Sequence, residues 1–171
     1  MCIRDRTTTQ WLVVFCGKMT HLTIRFIIPY QFMPLTSLLL YNVIAEMAVS
    51  YWLALVFQIS HVVSEVEWPK PDKDNVVDMD WAELQVATTQ DYATDSWFWT
   101  VFTGTLNHQT AHHLFPGVIQ SHYRKITPIV KQTCEEFGLE YHYVDTTREA
   151  LGCHIEHLRK LGQDDITKKD N

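Results

Sequence analysis

Residues 35–57 read LTSLLLYNVIAEMAVSYWLALVF, and this stretch sets the expected class of fold. As a helix, it would extend about 34 Å and cover a hydrocarbon core of about 30 Å. Its Leu, Ile, Val and Phe residues favour membrane insertion by about 5 kcal/mol, whereas Glu46 opposes it by at least about 2.5 kcal/mol. We therefore predict a transmembrane helix over 35–57 that needs partner helices to cover Glu46 and Asn42. The alternative is a buried helix of a soluble protein.

The two ends of the chain, residues 1–34 and 163–171, are expected to contain less regular secondary structure than the rest. Residues 1–6 fit poorly with the rest of the chain and are interpreted as a non-native leader. Residues 7–34 are predicted as an interfacial segment or the end of a truncated helix, because the apolar run at 11–15 is too short to span a bilayer. Residues 163–171 are polar and predict a disordered tail after a helix that Gly162 ends.

Residues 58–162 contain further helix signals. Thr127 followed by proline predicts a helix start, and Gly138 predicts its end. Thr146 and Glu149 have the spacing of a capping box that opens another helix. The predicted fold class is therefore all-α: a fragment of an integral membrane helical bundle with a cytosolic helical cap.

The stretch 107–113, NHQTAHH, carries the strongest signal for chemistry. Clustered histidines are typical metal ligands. On a helix His112 and His113 diverge by about 100°, which suits a two-metal centre better than a single ion. The alternative is that both histidines merely end a helix before Pro116, where the helix dipole favours their charge.

Several stretches of this chain resemble the front-end membrane fatty-acid desaturases. The resemblance runs through residues 80–86 and 88–97 to the Gln-x-x-His-His-Leu-Phe-Pro box at 109–116. It continues through Tyr123 to His157 and Leu158, and so covers most of the chain. In that family the third of three histidine boxes begins with glutamine, where other membrane desaturases carry histidine. That glutamine falls on Gln109.

The resemblance implies a non-haem di-iron centre and assigns residues to it. His112 and His113 would be metal ligands, joined by His61 at the cytosolic end of the predicted membrane helix. Gln109 would orient a ligand or a bound water, or bind weakly, and Gln58 would support His61 in the same way.

Three other histidines are not expected to bind iron. His108 stands where tyrosine is common in relatives. His154 and His157 share a helix face with Glu156, so a zinc pair is conceivable. A solvated helix face is the favoured interpretation, because no third ligand lies nearby in the sequence.

The resemblance also implies an activity. The intact enzyme would use dioxygen, with electrons from cytochrome b5 and its reductase, to insert a double bond on the carboxyl side of an existing one. The substrate would be a fatty-acyl lipid or acyl-CoA at the endoplasmic reticulum membrane, with the box facing the cytosol. Trp97, Phe98 and Trp99 would line the acyl tunnel. Thr110-Ala111 favours delta-5 over delta-6 members, which usually carry Ile-Glu there; delta-4 and sphingolipid delta-8 specificities stay open.

Two features of the family do not occur in the sequence. The first two histidine boxes and the His-Pro-Gly-Gly haem motif of the fused cytochrome b5 domain are missing. We therefore expect the C-terminal portion of a longer enzyme, with the missing N-terminal part as its partner. The alternatives are a soluble zinc hydrolase that uses His108, His112 and His113, or a catalytically inert membrane fragment. A net charge of −6 argues against nucleic-acid binding.

Overall fold

A computed structural model describes residues 7–169, most of which are helical. They form two units, divided in sequence between Trp52 and Leu53. The leader expected at residues 1–6 lies outside the described residues. The predicted all-α class is confirmed in that most described residues are helical, and two helical stretches are long and apolar enough to cross a membrane.

The first unit begins with a longer helical stretch than predicted. It comprises three consecutive segments: α1 (Thr8–Leu22), a π-helix (Thr23–Ile27) and α2 (Ile28–Tyr30). The Thr7 hydroxyl caps α1 by accepting a hydrogen bond from Gln10 N. Together Thr8–Tyr30 is long and apolar enough to cross a membrane. Residues 7–34 were predicted as an interfacial segment or the end of a truncated helix, and the helix observed there is longer than predicted because Gly17 costs only about 1 kcal/mol and does not end it.

The predicted membrane span lies in α3 (Leu35–His61). This helix has 27 residues and is also long and apolar enough to cross a membrane. Helix formation continues past Phe57, so His61 is its last residue. Most apolar side chains of α3 are exposed in this chain, as expected of a helix that faces lipid or further helices.

Polar residues of the first unit pair with one another. The Arg25 guanidinium forms an ion pair with Glu46 and donates a hydrogen bond from Nε to Asn42 Oδ1. Asn42 in turn donates to the Leu38 carbonyl at 2.8 Å. Glu46 and Asn42 thus have the polar partner that their place in an apolar helix requires, because an unpaired charge in hydrocarbon is costly.

The second unit contains the remaining helices and a small sheet. Its elements after α3 are α4 (Trp81–Ala87), β1 (Gln90–Tyr92), α5 (Trp97–Phe102), α6 (Gln109–Leu114), a 3-10 turn (Gln120–His122), α7 (Tyr123–Phe137), β2 (His142–Val144) and α8 (Thr147–Lys169). Strands β1 and β2 pair in parallel, with Asp91 opposite Tyr143. These two short strands were not predicted from the sequence.

The ends of α7 test the predicted helix signals. α7 begins at Tyr123, before the predicted start at Thr127, and Pro128 lies inside it. The predicted end is correct, since Gly138 adopts a left-handed conformation with φ of 69°.

The start of α8 agrees with prediction, but its end does not. Thr146 and Glu149 exchange the two hydrogen bonds of the predicted capping box, each 3.1 Å long. The helix then continues through Gly162 to Lys169. The predicted disordered tail is therefore wrong up to residue 169, because a single glycine lowers helix stability without terminating the helix.

Two buried clusters hold the second unit together. Ile59 at the end of α3 packs with Tyr92, Ala93 and Ala150. Val86 of α4 packs with Val130 and Cys134 of α7. Helix α6 contacts α4, α7 and β1, which contribute residues to these two clusters.

Candidate functional site

Helix α6 carries the C-terminal part of the histidine segment (residues 107–113). Residues 107–111 are buried, whereas His112 and His113 in the last turn are partly exposed. The ring centroids of His112 and His113 lie 5.9 Å apart, with ring planes at 78°. The helical placement and the divergence of the two imidazoles are therefore as predicted.

Asp91 fixes the N-terminal end of α6 to strand β1. Its Oδ1 accepts a hydrogen bond from Thr110 N at 2.8 Å, and its Oδ2 accepts one from the Tyr141 hydroxyl. Thr110 also bonds through its hydroxyl to the Thr89 hydroxyl at 3.0 Å. Complete burial raises the pKa of Asp91 to about 6, although the hydrogen bonds from Tyr141 and Thr110 oppose the rise. The start of α6 is thus held by buried polar contacts.

His61 and His113 use the same ring nitrogen for an outer contact. His61 Nδ1 lies 3.2 Å from the Thr88 carbonyl oxygen, which only accepts, so this nitrogen carries the proton. His113 Nδ1 lies 2.8 Å from Gln85 Oε1, also an acceptor. In both rings the lone pair is therefore on Nε2.

His112 follows the same rule through a tyrosine. Its Nδ1 lies 3.4 Å from the Tyr123 hydroxyl oxygen. That hydroxyl donates its proton to the Phe115 carbonyl at 3.3 Å, so it accepts from the imidazole. All three candidate ligands thus have Nδ1 anchored and present Nε2, the arrangement typical of metal-binding histidines.

Gln109 contacts a candidate ligand directly. Its Nε2 lies 3.0 Å from His61 Nε2, so the amide donates to the imidazole lone pair. Its Oε1 is buried without a hydrogen-bond partner among the described residues. Gln58, expected to support His61, is exposed, and the amide beside His61 is that of Gln109.

The three histidines gather at one place in the second unit. The rings of His61 and His113 have centroids 4.9 Å apart. Burial, together with the nearby His61 and His112, lowers the pKa of His113 to about 4, which keeps its lone pair free at neutral pH. Within residues 7–169, no three His, Cys, Asp or Glu side chains are arranged to hold an ion. The three imidazole nitrogens and the unpaired Gln109 Oε1 are therefore compatible with part of the ligand set of a metal centre, but not with a complete set.

The residues that anchor these rings were not predicted from the sequence. Gln85, Thr88 and Tyr123 fell within the family resemblance but received no role. Gln85 lies in the last turn of α4, Thr88 directly follows that helix, and Tyr123 is the first residue of α7. No spacing rule links them to His61 or His113, because the contacts depend on tertiary packing.

The three histidines that were not expected to bind iron are held by other parts of the structure. His108 is buried, with Nδ1 2.8 Å from the Thr127 hydroxyl and Nε2 3.3 Å from the Thr100 hydroxyl. His154 is also buried and His157 is half-buried, so the expectation that both lie on a solvated face is wrong. Helix α8 packs that face against other parts of the second unit, which the helical pattern alone did not reveal.

The three aromatic residues predicted to line an acyl tunnel are divided. Trp97 and Phe98 of α5 are exposed, whereas Trp99 packs against the Ile59 and Tyr92 cluster. None of the three lines the apolar cavity that lies beside the histidine segment.

This apolar cavity has a volume of about 630 Å³. Its walls include Val86 of α4 and Val130 of α7, together with Leu114 and Phe115, which directly follow His113. The volume lies in the range of small-molecule pockets, about 300–1,000 Å³. The cavity could accommodate a hydrocarbon chain.

Comparison with known proteins gives the family. Residues 3–145 match the family described as fatty acid desaturase. The chain belongs to this family. The resemblance drawn from the glutamine-containing box is therefore confirmed, and the match is to a family of enzymes other than the zinc hydrolases considered as an alternative.

Individual relatives match over most of the chain. An acyl-lipid (8-3)-desaturase of Mortierella alpina is 49% identical over 162 residues, which are 94% of this chain and 36% of the relative. The delta(5) fatty acid desaturase A of Dictyostelium discoideum is 40% identical over 90% of this chain and 34% of its own length. An sn-1 linoleoyl-lipid 6-desaturase of Synechocystis is 38% identical over 63% of the chain. The chain thus spans about a third of the length of the curated relatives it matches. No solved structure matches it.

Proposed function

We propose that His61, His112 and His113 are ligands of a non-haem di-iron centre in a front-end fatty-acid desaturase. The observation that carries the proposal is the common orientation of the three imidazoles. Each Nδ1 is anchored by an acceptor, so each Nε2 carries the lone pair, which in His61 accepts a hydrogen bond from the Gln109 amide. The family resemblance assigns the remaining ligands to two further histidine boxes that do not occur in this sequence.

The residues of this chain would hold and orient the ligands. Bound iron supplies an oxidant derived from dioxygen, which is needed because no side chain can remove hydrogen from an unactivated methylene. Gln85, Thr88 and Tyr123 keep each imidazole in one tautomer, which raises its quality as a ligand. The Gln109 amide, which contacts His61, is placed to orient a ligand or bound water when iron occupies the site.

The substrate would be a fatty-acyl chain, carried by a lipid or by CoA, with an existing double bond. Two electrons from cytochrome b5, fed by its reductase, two protons from solvent and two hydrogens from the acyl chain would together reduce dioxygen to two waters. The new bond would form on the carboxyl side, at the delta-5 position. In support, the two relatives that match about nine-tenths of the chain carry (8-3) and delta(5) names, whereas the 6-desaturase matches less of it.

The location would be the endoplasmic reticulum membrane, with the histidine segment facing the cytosol. Two helices long and apolar enough to span a bilayer support membrane association. The face and the compartment follow from the family resemblance, since cytochrome b5 delivers electrons on the cytosolic side.

A chimera tests this function. Residues 7–171 would replace the matching region of the Mortierella alpina desaturase, and yeast fed a C20 polyunsaturated precursor would be analysed for new double bonds. We expect a delta-5 product, lost at unchanged protein level in His61→Ala, His112→Ala and His113→Ala. His122→Ala, in an exposed turn, is the matched control and should retain activity.

Each other result has a defined meaning. A delta-6, delta-4 or delta-8 product would correct the regiochemistry alone. Full activity in His112→Ala or His113→Ala would remove the ligand assignment. The 171-residue chain expressed by itself should give no product, because three histidines cannot hold two metal ions.

A further inference from the structure

The chain that runs through and beyond the end of α3 lies along one stripe of α8. The two segments meet at three places in the same order: Ala150 and Ile59 belong to one buried cluster, His154 bonds to Val62, and His157 bonds to Ser64. Positions three and four residues apart share one face of a helix. This face of α8 therefore lies along the chain both before His61, at Ile59, and after it, at Val62 and Ser64.

The hydrogen bond made by His154 is shorter than the one made by His157. Its Nδ1 lies 2.7 Å from the Val62 carbonyl oxygen, so the imidazole N–H donates to that carbonyl. His154 is only 8% exposed. Val62 follows the last residue of α3, and carbonyls at a helix end have no partner inside the helix. His154 supplies that partner from 92 residues away in the sequence.

The next carbonyl is bound from the same side. Trp68 Nε1 donates to the Val63 carbonyl oxygen at 3.2 Å. The Trp68 ring stacks on His157, with centroids 5.4 Å apart and planes at 5°. His157 Nδ1 in turn lies 3.1 Å from the Ser64 hydroxyl. Two successive carbonyls after His61 are therefore fixed by side chains that belong to α8 or contact it.

We propose that His154 is a positioning residue for His61. It fixes the backbone immediately after His61, while Thr88 and Gln109 fix the ring itself. The match to the family description ends at residue 145, before α8 begins at Thr147, so His154 lies beyond the residues that define the family match. The proposal rests on the proposed function only in treating His61 as a ligand.

The first test needs no activity. The 171-residue chain would be prepared in detergent micelles as wild type, His154→Leu and His154→Asn; the asparagine amide can replace the Nδ1–H donor, and leucine cannot. Amide hydrogen exchange of residues 61–66, the nitrogen chemical shifts of the His61 ring and the melting temperature would be measured. His122→Leu, a change at an exposed histidine, is the matched control.

The expected result is selective. In His154→Leu, exchange across 61–66 should be about tenfold faster, as for loss of one buried hydrogen bond, and the His61 ring should lose its single tautomer. His154→Asn and His122→Leu should match wild type. If His154→Leu does not fold, His154→Gln takes its place, because its longer amide reaches the Nε2 position instead. The proposal would be overturned if amide exchange in His154→Leu became equally faster throughout the chain. Faster exchange of residues 61–66 in His154→Asn would also overturn it.

The second test uses the chimera. We expect His154→Leu to lower the maximal rate at least tenfold with little change in the substrate concentration for half-maximal rate, and His154→Asn to restore it. An equal loss of rate in both variants would overturn the positioning role. An inactive wild-type chimera would instead count against the proposed function, and the exchange and nitrogen-shift measurements would still decide the role of His154.

Discussion

Replacing Asp91 by asparagine changes the free energy of unfolding relative to wild type. We expect this change to be more favourable at neutral pH than at acidic pH. Asp91 is fully buried, and burial raises its pKa from 3.8 to about 6. A carboxyl whose pKa is higher in the folded state contributes stability that is present below about pH 3.8 and is lost as the pH rises through about 6. Asparagine resembles the neutral carboxyl and keeps an acceptor for Thr110 N.

The magnitude follows from the two pKa values. A rise from 3.8 to about 6 corresponds to about 3 kcal/mol of unfolding free energy at pH 7.5. About 2 kcal/mol of this develops between pH 4 and pH 7.5, because the unfolded carboxyl already titrates near pH 4. For a chain of this size, that difference equals about 4–8 °C in melting temperature.

The assay is thermal unfolding in detergent, followed by circular dichroism at pH 4 and pH 7.5. The melting temperature of Asp91→Asn minus that of wild type should increase by about 4–8 °C between the two conditions. Asp95→Asn, at an exposed aspartate, is the matched control and should show no such change. A difference that stays constant with pH would refute the argument that Asp91 is destabilised by ionisation.

Three further predictions concern other contacts. Gln85→Leu removes the acceptor of His113 Nδ1 and should weaken iron binding by the chimera about 10–100-fold, whereas Gln85→Glu keeps it; iron per purified protein is the measurement. His108→Leu deprives the hydroxyls of Thr100 and Thr127 of their imidazole partner and should lower stability by about 1–3 kcal/mol, so an unchanged melting temperature would contradict the contact. Membranes extracted with alkaline carbonate should retain the chain in the pellet; its release would argue against both candidate spans.

Local patterns predicted several elements correctly. The apolar run at 35–57 gave α3, and Thr146 with Glu149 gave the start of α8. The spacing of His112 and His113 predicted imidazoles that diverge on a helix. These features depend on residues within one or two turns of each other, where helix geometry and capping chemistry act directly.

Local patterns failed where one residue was given too much weight. Gly162 was interpreted as a helix end, yet it lies inside α8. The preference of a glycine amounts to about 1 kcal/mol, which the neighbouring residues and packing outweigh.

The sequence by itself determined which imidazoles are candidate ligands, and only the tertiary structure decided how they are held. The anchor of His61 lies 27 residues away at Thr88, and the contact of His154 reaches back to Val62. Such contacts depend on the parallel pairing of β1 with β2 and on the packing of α8, which bring distant segments together. No periodicity encodes them, because their free energy comes from burial and hydrogen bonding between segments that are far apart in the chain.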